Sequence, residues 1–233
     1  MSVKPRQIAL DLHLRDEYSF DNFYVGENQL PVYGLQSWVA GQGNWFVYLS
    51  GLTDSGVSHL MQAACLAVQQ TQNTVIYLPM LELAGETVDL LDNLESMDFV
   101  CIDNIQAVSG NTHWEEAIFH LYNRILTQGG RLLIAGSTMP SSLKLSLADL
   151  ESRLNSGVSY HLTQYTDEDK LSILQLRASY RGFELSEELA KYILIRSNRQ
   201  LEALIDVLDK IDKHSLESQR KVTIPFVKEL MAW

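Results

Sequence analysis

Short apolar runs rich in β-branched and aromatic residues recur at residues 45–49, 75–78, 99–102, 131–135 and, more weakly, 158–162. Helix-period segments separate them, an alternation that predicts βαβ units and a parallel sheet. Between the third and fourth runs, Trp114, Ile118, Leu121, Tyr122, Ile125 and Leu126 recur at helical spacing, and Gly129-Gly130 end the pattern. That segment reads as a helix facing the core of a layered α/β domain. After about residue 164 the strand pattern disappears, and helices are predicted near 167–181, 186–196, 198–213 and 225–231. Thr166 and Asp169 have capping-box spacing, Gly182 suits a helix stop, and Ser186 and Asn198 suit N-caps. The expected organisation is an extended, flexible arm over residues 1–18, an α/β domain over 19–164 and a small helical domain over 165–233, with no internal repeat.

Composition narrows the function classes. The chain has 233 residues, 46% hydrophobic and 20% charged, enough for one large core and one small one. Its formal net charge of -11 leaves no general attraction for a phosphate backbone, so direct sequence-specific DNA binding is not expected. Cys65 and Cys101 each sit in an apolar segment, as free buried thiols do, which suits a reducing cytoplasm. The first thirty residues hold no sustained apolar stretch, and no apolar run reaches membrane-spanning length, so a cytoplasmic location with no membrane partner is expected. The histidines show no metal-ligand spacing, and no metal beyond Mg²⁺ is expected.

The chemistry concentrates after the first predicted strand. Gly51 to His59 reads Gly-Leu-Thr-Asp-Ser-Gly-Val-Ser-His and opens a helix, the arrangement of a phosphate-binding P-loop. Gly51, Gly56 and Ser58 occupy the motif positions, but Val57 stands where the lysine belongs. Such a loop keeps its backbone N–H cradle and loses the charge that reaches outer phosphates, so it suits a diphosphate better than a triphosphate. The alternative is a degenerate loop that binds nothing. About fifty residues downstream, Asp103 ends an apolar run as a Walker B aspartate does to hold Mg²⁺ through water. The next residue, Asn104, has an amide that cannot take a proton from water, which argues against hydrolysis in this site. Arg153, beyond the fourth run, suits a surface ion pair with Glu151 or Asp149, or an arginine finger that reaches into a neighbouring molecule. Arg199 suits either a nucleotide contact from the helical domain or a surface cation.

Taken in order, Ser19–Phe23, the loop Gly51–His59, Val100–Asn104, Ala117–Leu126, Glu151–Leu154, Asp167–Lys170, Arg181–Glu184 and Thr223–Lys228 resemble the Hda-like regulatory relatives of the bacterial initiator DnaA, within the AAA+ superfamily. The resemblance runs nearly the full length. It implies an AAA+ P-loop domain followed by a helical lid, with no DNA-binding domain after it. It also implies a non-enzymatic, cytoplasmic regulator of replication initiation that binds ADP or another nucleoside diphosphate, with Mg²⁺ as a companion ion. Its implied partners are DnaA and the sliding clamp of DNA polymerase III, with self-association compatible. Arg153 would act in trans on ATP held by DnaA. Nucleotide contacts are implied for Phe23, Tyr24 and Val25 around the base, for Asp54, Ser55, Gly56, Val57, Ser58 and His59 in the loop, and for Arg199 from the lid. Ser137 falls at a sensor position where an acid or amide is usual. In the arm, Gln7, Ile8, Leu10 and Leu12 resemble a short clamp-binding peptide, although Gln followed by spaced aliphatics also suits a loose edge strand. A helicase-loader-like ATPase and a nucleotide-independent adaptor are the competing readings.

Overall fold

The computed structural model describes residues 18–233, so the proposed clamp-binding residues Gln7, Ile8, Leu10 and Leu12 lie outside the described residues. Five strands, β1 (Phe46–Gly51), β2 (Val75–Pro79), β3 (Phe99–Asp103), β4 (Arg131–Gly136) and β5 (Val158–Leu162), form one sheet in the order β2-β3-β4-β1-β5. Every neighbouring pair is parallel. Parallel sheets need helical crossovers, which cover both faces and explain why the central strands are apolar throughout. Residues alternate between faces as strand geometry requires. Phe46, Tyr48, Val100, Ile102, Leu132 and Ile134 pack toward α4 (Thr112–Gln128) and α5 (Ala148–Leu154). Val47, Leu49, Cys101, Leu133 and Ala135 pack toward α1 (Gln29–Val39) and α2 (Val57–Gln69). The short α3 (Met80–Leu83) follows β2. Strand β5, the least buried, ends the sheet beside β1, which fits its weak sequence signal.

Local signals account for most boundaries. The predicted glycine stop appears as a left-handed Gly129 that caps α4. Cys65 and Cys101 are free and fully buried, as their apolar settings suggested. Beyond the sheet come α6 (Asp167–Tyr180), α7 (Glu187–Arg196), α8 (Leu201–Ser218) and α9 (Ile224–Met231). These helices share a separate core that includes Leu174, Leu189, Ile193, Leu204, Leu208, Phe226 and Val227. Thr166 and Asp169 form the full capping box of α6, and the Ser186 hydroxyl accepts from Leu189 N at the start of α7. Asn198 departs from expectation. Its Oδ1 accepts from Gln200 N, so it shapes the preceding turn, and α8 begins only at Leu201 with no side-chain cap from its own N-cap residue Gln200. The cap comes instead from Asp54 in the first loop, whose Oδ1 accepts from Leu201 N at 2.8 Å.

One buried carboxylate fixes the approach to α5. Glu115, on α4, is 1% exposed and accepts from Gly110 N, Ser146 N and Leu147 N at 2.6, 2.8 and 2.7 Å. Three charge-assisted hydrogen bonds converge on one buried carboxylate, which holds the segment that leads into the helix bearing Arg153. Replacing Glu115 with Ala removes three charge-assisted hydrogen bonds and is expected to cost about 3 kcal/mol of unfolding free energy. The check is the urea midpoint. Glu115→Gln, which keeps one carbonyl oxygen, is expected to lose less.

Candidate functional site

The parallel register brings the carboxyl ends of β1, β3 and β4 to one edge of the sheet, where the first loop, Asp103 and Ser137 line a cleft of about 740 Å³. That volume suits a nucleotide-sized ligand. The loop turns back onto the end of β1, and a Cβ on Gly51 would stand 2.3 Å from Ser55 Oγ. Gly56 adopts a left-handed conformation with φ 83°, and an added Cβ there would stand 3.0 Å from the Phe23 ring. Gly56 provides no side-chain cap for α2, so the first amides of that helix open into the cleft. Ser55 is 1% exposed, and its Oγ has no hydrogen-bond partner among the described residues. A tight backbone turn, open helix amides and an orphaned hydroxyl together make an anion cradle. Val57 contributes no charge to it.

The opposite wall holds the predicted Walker B residue. Asp103 is 1% exposed; its Oδ2 accepts from the Tyr77 hydroxyl at 2.7 Å, and its Oδ1 accepts from Asn104 N at 2.8 Å. Burial pushes its carboxyl above the usual range, against hydrogen bonds from Tyr77, Ser58 and Asn104 that pull it down. The Tyr77 phenol is raised in turn by burial and by the neighbouring Asp103. Ser58 and Asp103 therefore meet across the cleft and form an oxygen pair of the kind Mg²⁺ takes. Ser137 also lines the cleft, and its amide donates to Gln106 Oε1 at 3.1 Å, a polar neighbour that the sequence reading missed.

At the other end the site is aromatic. His59 stacks on Tyr18 with centroids 4.7 Å apart and meets the Phe23 edge at 5.1 Å. Its Nε2 donates to Ser19 O and Asn22 Oδ1 at 3.2 and 3.0 Å; both partners are carbonyl oxygens, which assigns the proton of the neutral ring to Nε2. Burial, with a smaller contribution from the Arg177 guanidinium, lowers its pKa to about 4. Tyr24 and Tyr165 complete this wall, the Tyr165 hydroxyl donating to Tyr24 O at 2.6 Å.

Two expected contacts are not brought to the cleft. Val25 packs against the α1–α2 side of the core and is not a lining residue, so only Phe23 and Tyr24 of that trio face the cavity. Arg199 is exposed and paired with Asp167 at 3.0 Å, outside the lining. The lid cation that does line the cleft is Arg177, one helical turn beyond Ile173 on α6 and over the Tyr18 ring at 5.3 Å. Helical spacing from Ile173 was the one available signal for it. Arg153 lies away from the cleft on the surface of α5. It makes no ion pair with Glu151 or Asp149 among the described residues, and its guanidinium carbon sits 5.8 Å and 6.0 Å from the Tyr122 and Phe119 ring centroids.

The buried neutral His59 predicts a pH dependence. Unfolded histidine titrates near about 6.5. The folded ring resists protonation down to about 4. Stability from this group is therefore complete above the unfolded value and is lost as pH falls through the window between the two, by on the order of 3 kcal/mol. Unfolding midpoints taken across that window should fall in the native chain and flatten in His59→Gln.

Comparison with solved structures supports the architecture. Domain III of Thermotoga maritima DnaA aligns at a TM-score of 0.78 and 21% identity, covering 94% of this chain and 98% of that domain. AMPPCP-bound DnaA from Aquifex aeolicus aligns at 0.69 and 23% identity, over 89% of this chain and 69% of that one. A Thermotoga maritima RuvB variant aligns at 0.67 and 20% identity, over 94% and 72%. These likenesses establish the AAA+ fold with a helical lid. Residues 167–231 match the lid-domain family of Hda, and residues 14–161 match the ATPase-domain family of bacterial DnaA. The chain belongs to the bacterial DnaA ATPase-domain family as a DnaA/Hda-like AAA+ protein.

Proposed function

We propose that this DnaA-related replication regulator is Hda-like in action: it holds a nucleoside diphosphate such as ADP and stimulates hydrolysis of ATP bound to DnaA by presenting Arg153 in trans. The observation that carries the reading is a division of labour on the surface. The cleft retains a phosphate cradle without the lysine at Val57, while Arg153 stands exposed, without an ion pair among the described residues and outside its own cleft. A guanidinium so placed cannot act on the nucleotide of its own chain, but it is available to a neighbour, where such a group contributes about 10³ to 10⁵ in rate. Aromatic contacts with Phe119 and Tyr122 keep the side chain oriented at small energetic cost.

Within the chain's own cleft, the α2 amides, Ser55 and Ser58 would hold the phosphates, and Phe23, Tyr24 and Tyr165 would enclose the base. Mg²⁺ would sit against Ser58 and Asp103 and screen phosphate charge. Asn104 adopts a left-handed conformation and lines the cleft, but its amide supplies no base for an attacking water. Clamp attachment through Gln7, Ile8, Leu10 and Leu12 is part of the same proposal and would concentrate the regulator where DnaA acts. Among the described residues no helix is long and apolar enough to cross a membrane, in keeping with the proposed cytoplasmic setting.

The test is the rate of ATP hydrolysis by DnaA with the ADP-loaded chain, with and without DNA-loaded clamp. Wild type with clamp should accelerate hydrolysis, and Arg153→Ala should reduce the stimulated rate by about 10³-fold with its thermal stability unchanged. Equal stimulation by both would make Arg153 a structural residue and favour the adaptor or loader readings. Gln7→Ala should remove the clamp dependence while leaving ADP binding intact.

A further inference from the structure

The phosphate loop carries a feature that nucleotide binding does not require. Asp54 is a non-glycine residue at φ 67°, a left-handed conformation that side-chain-bearing residues seldom adopt. Its side chain leaves the loop and enters the lid. Oδ2 accepts from Lys170 Nζ of α6 at 3.0 Å, and Oδ1 accepts from Leu201 N, the first amide of α8, at 2.8 Å. The side chains of Asp54 and Lys170 are only 10% and 9% exposed, so this is an ion pair held away from solvent. Lys170 Nζ also donates to Arg199 O at 2.7 Å, and the loop's Thr53 O accepts from Gln164 Nε2 at 3.0 Å. One carboxylate thus takes two groups that would otherwise attract an anion: an ammonium and the positive end of an 18-residue helix.

The helix end lines the nucleotide cleft and the ammonium lies just behind its wall. Asp54 and Leu201 line it, and Lys170 lies one hydrogen bond behind Asp54. The loop lacks its own lysine, so Lys170 is the cation bonded to the loop, and it is already occupied. With Asp54 already neutralised by Lys170, the rest of the lining still sets Glu82, Asp103 and Glu202 against one guanidinium among the described residues, that of Arg177. A third phosphate entering this cleft adds negative charge where the local field is already negative and where the balancing ammonium is engaged.

We propose that Asp54 is the residue that makes this cleft a diphosphate site. Its carboxylate stands in for an outer phosphate, engaging Lys170 and the α8 amide, closing the lid on the loop and disfavouring a triphosphate. The inference rests on the diphosphate-site reading above and deepens it. Removing the charge releases Lys170, which then supplies the cation missing at Val57. Asn suits the test because it tolerates the left-handed conformation and keeps an acceptor for Leu201 N while losing the ion pair. Gly removes the conformational strain and both contacts.

The experiment is calorimetric titration of the full chain with Mg-ADP and Mg-ATP, for wild type, Asp54→Asn, Asp54→Gly and the double variant Asp54→Asn with Lys170→Met, each checked for cooperative thermal unfolding. Wild type should favour ADP. Asp54→Asn should narrow the ADP/ATP affinity ratio by about tenfold, the size of one charge-assisted contact, through a gain in ATP affinity. The double variant, which has neither charge, should lose that gain while its ADP affinity stays near that of Asp54→Asn. An unchanged ratio in Asp54→Asn and Asp54→Gly, with both folded and binding ADP, overturns the role of Asp54 alone. Absence of binding of either nucleotide by every form overturns the diphosphate-site reading and this inference with it. If the ATP gain persists without Lys170, the stand-in mechanism is wrong.

Discussion

Burial of both faces of the parallel sheet is the constraint from which the rest follows. Because each strand must be apolar on both sides and each crossover helical, the polar chemistry of this chain is displaced to the strand ends. Parallel pairing of β1 with β4, and of β4 with β3, then aligns three carboxyl termini at one edge. The phosphate loop, Asp103 and Ser137 meet there without any sequence proximity. Ligands of open α/β sheets bind in crevices of this kind because loops and helix N-termini converge where the strands end.

The lid is tied to that edge by polar contacts as well as by packing. Ile173, Leu201 and Ile205 join the core beneath α1 and α2, and Asp54 links the loop to α6 and α8. Breaking a buried ion pair by removing one partner generally costs more than the pair contributes, because the survivor is left desolvated. A change in the loop is therefore transmitted to the lid. Arg153 is supported by a different part of the molecule, through Glu115 and the α4 aromatics. The cleft and the exposed guanidinium consequently rest on separate structural supports, and one can be altered without dismantling the other.

Features with local causes were legible in the sequence. The five strands, the capping box of α6 and the glycine stop of α4 each arise from residues within a few positions of one another. The P-loop and its missing lysine were legible for the same reason. Long-range pairings were not. Nothing within α8 signals that its first amide is capped from Asp54, 147 positions away, so Asn198 was assigned a role that belongs to the loop. The resemblance implies Arg199 as the lid's nucleotide contact, yet Arg199 pairs with Asp167 outside the lining while Arg177 lines the cleft. The resemblance groups Val25 with Phe23 and Tyr24, and all three pack on the same core cluster, but Val25 does not line the cleft. Buried polar side chains such as Glu115 carry no periodic signature, since their partners are backbone amides of distant loops.

The proposed function requires the cleft to bind a nucleotide without turning it over, leaving catalysis to a partner's site. Its most direct test follows two quantities on one preparation of the isolated chain: saturable binding of Mg-ADP by calorimetry and phosphate release from Mg-ATP. The expected result is binding at one site per chain and phosphate release no faster than in buffer. Sustained release that disappears in Asp103→Ala would contradict it, and would identify the cleft as a working ATPase.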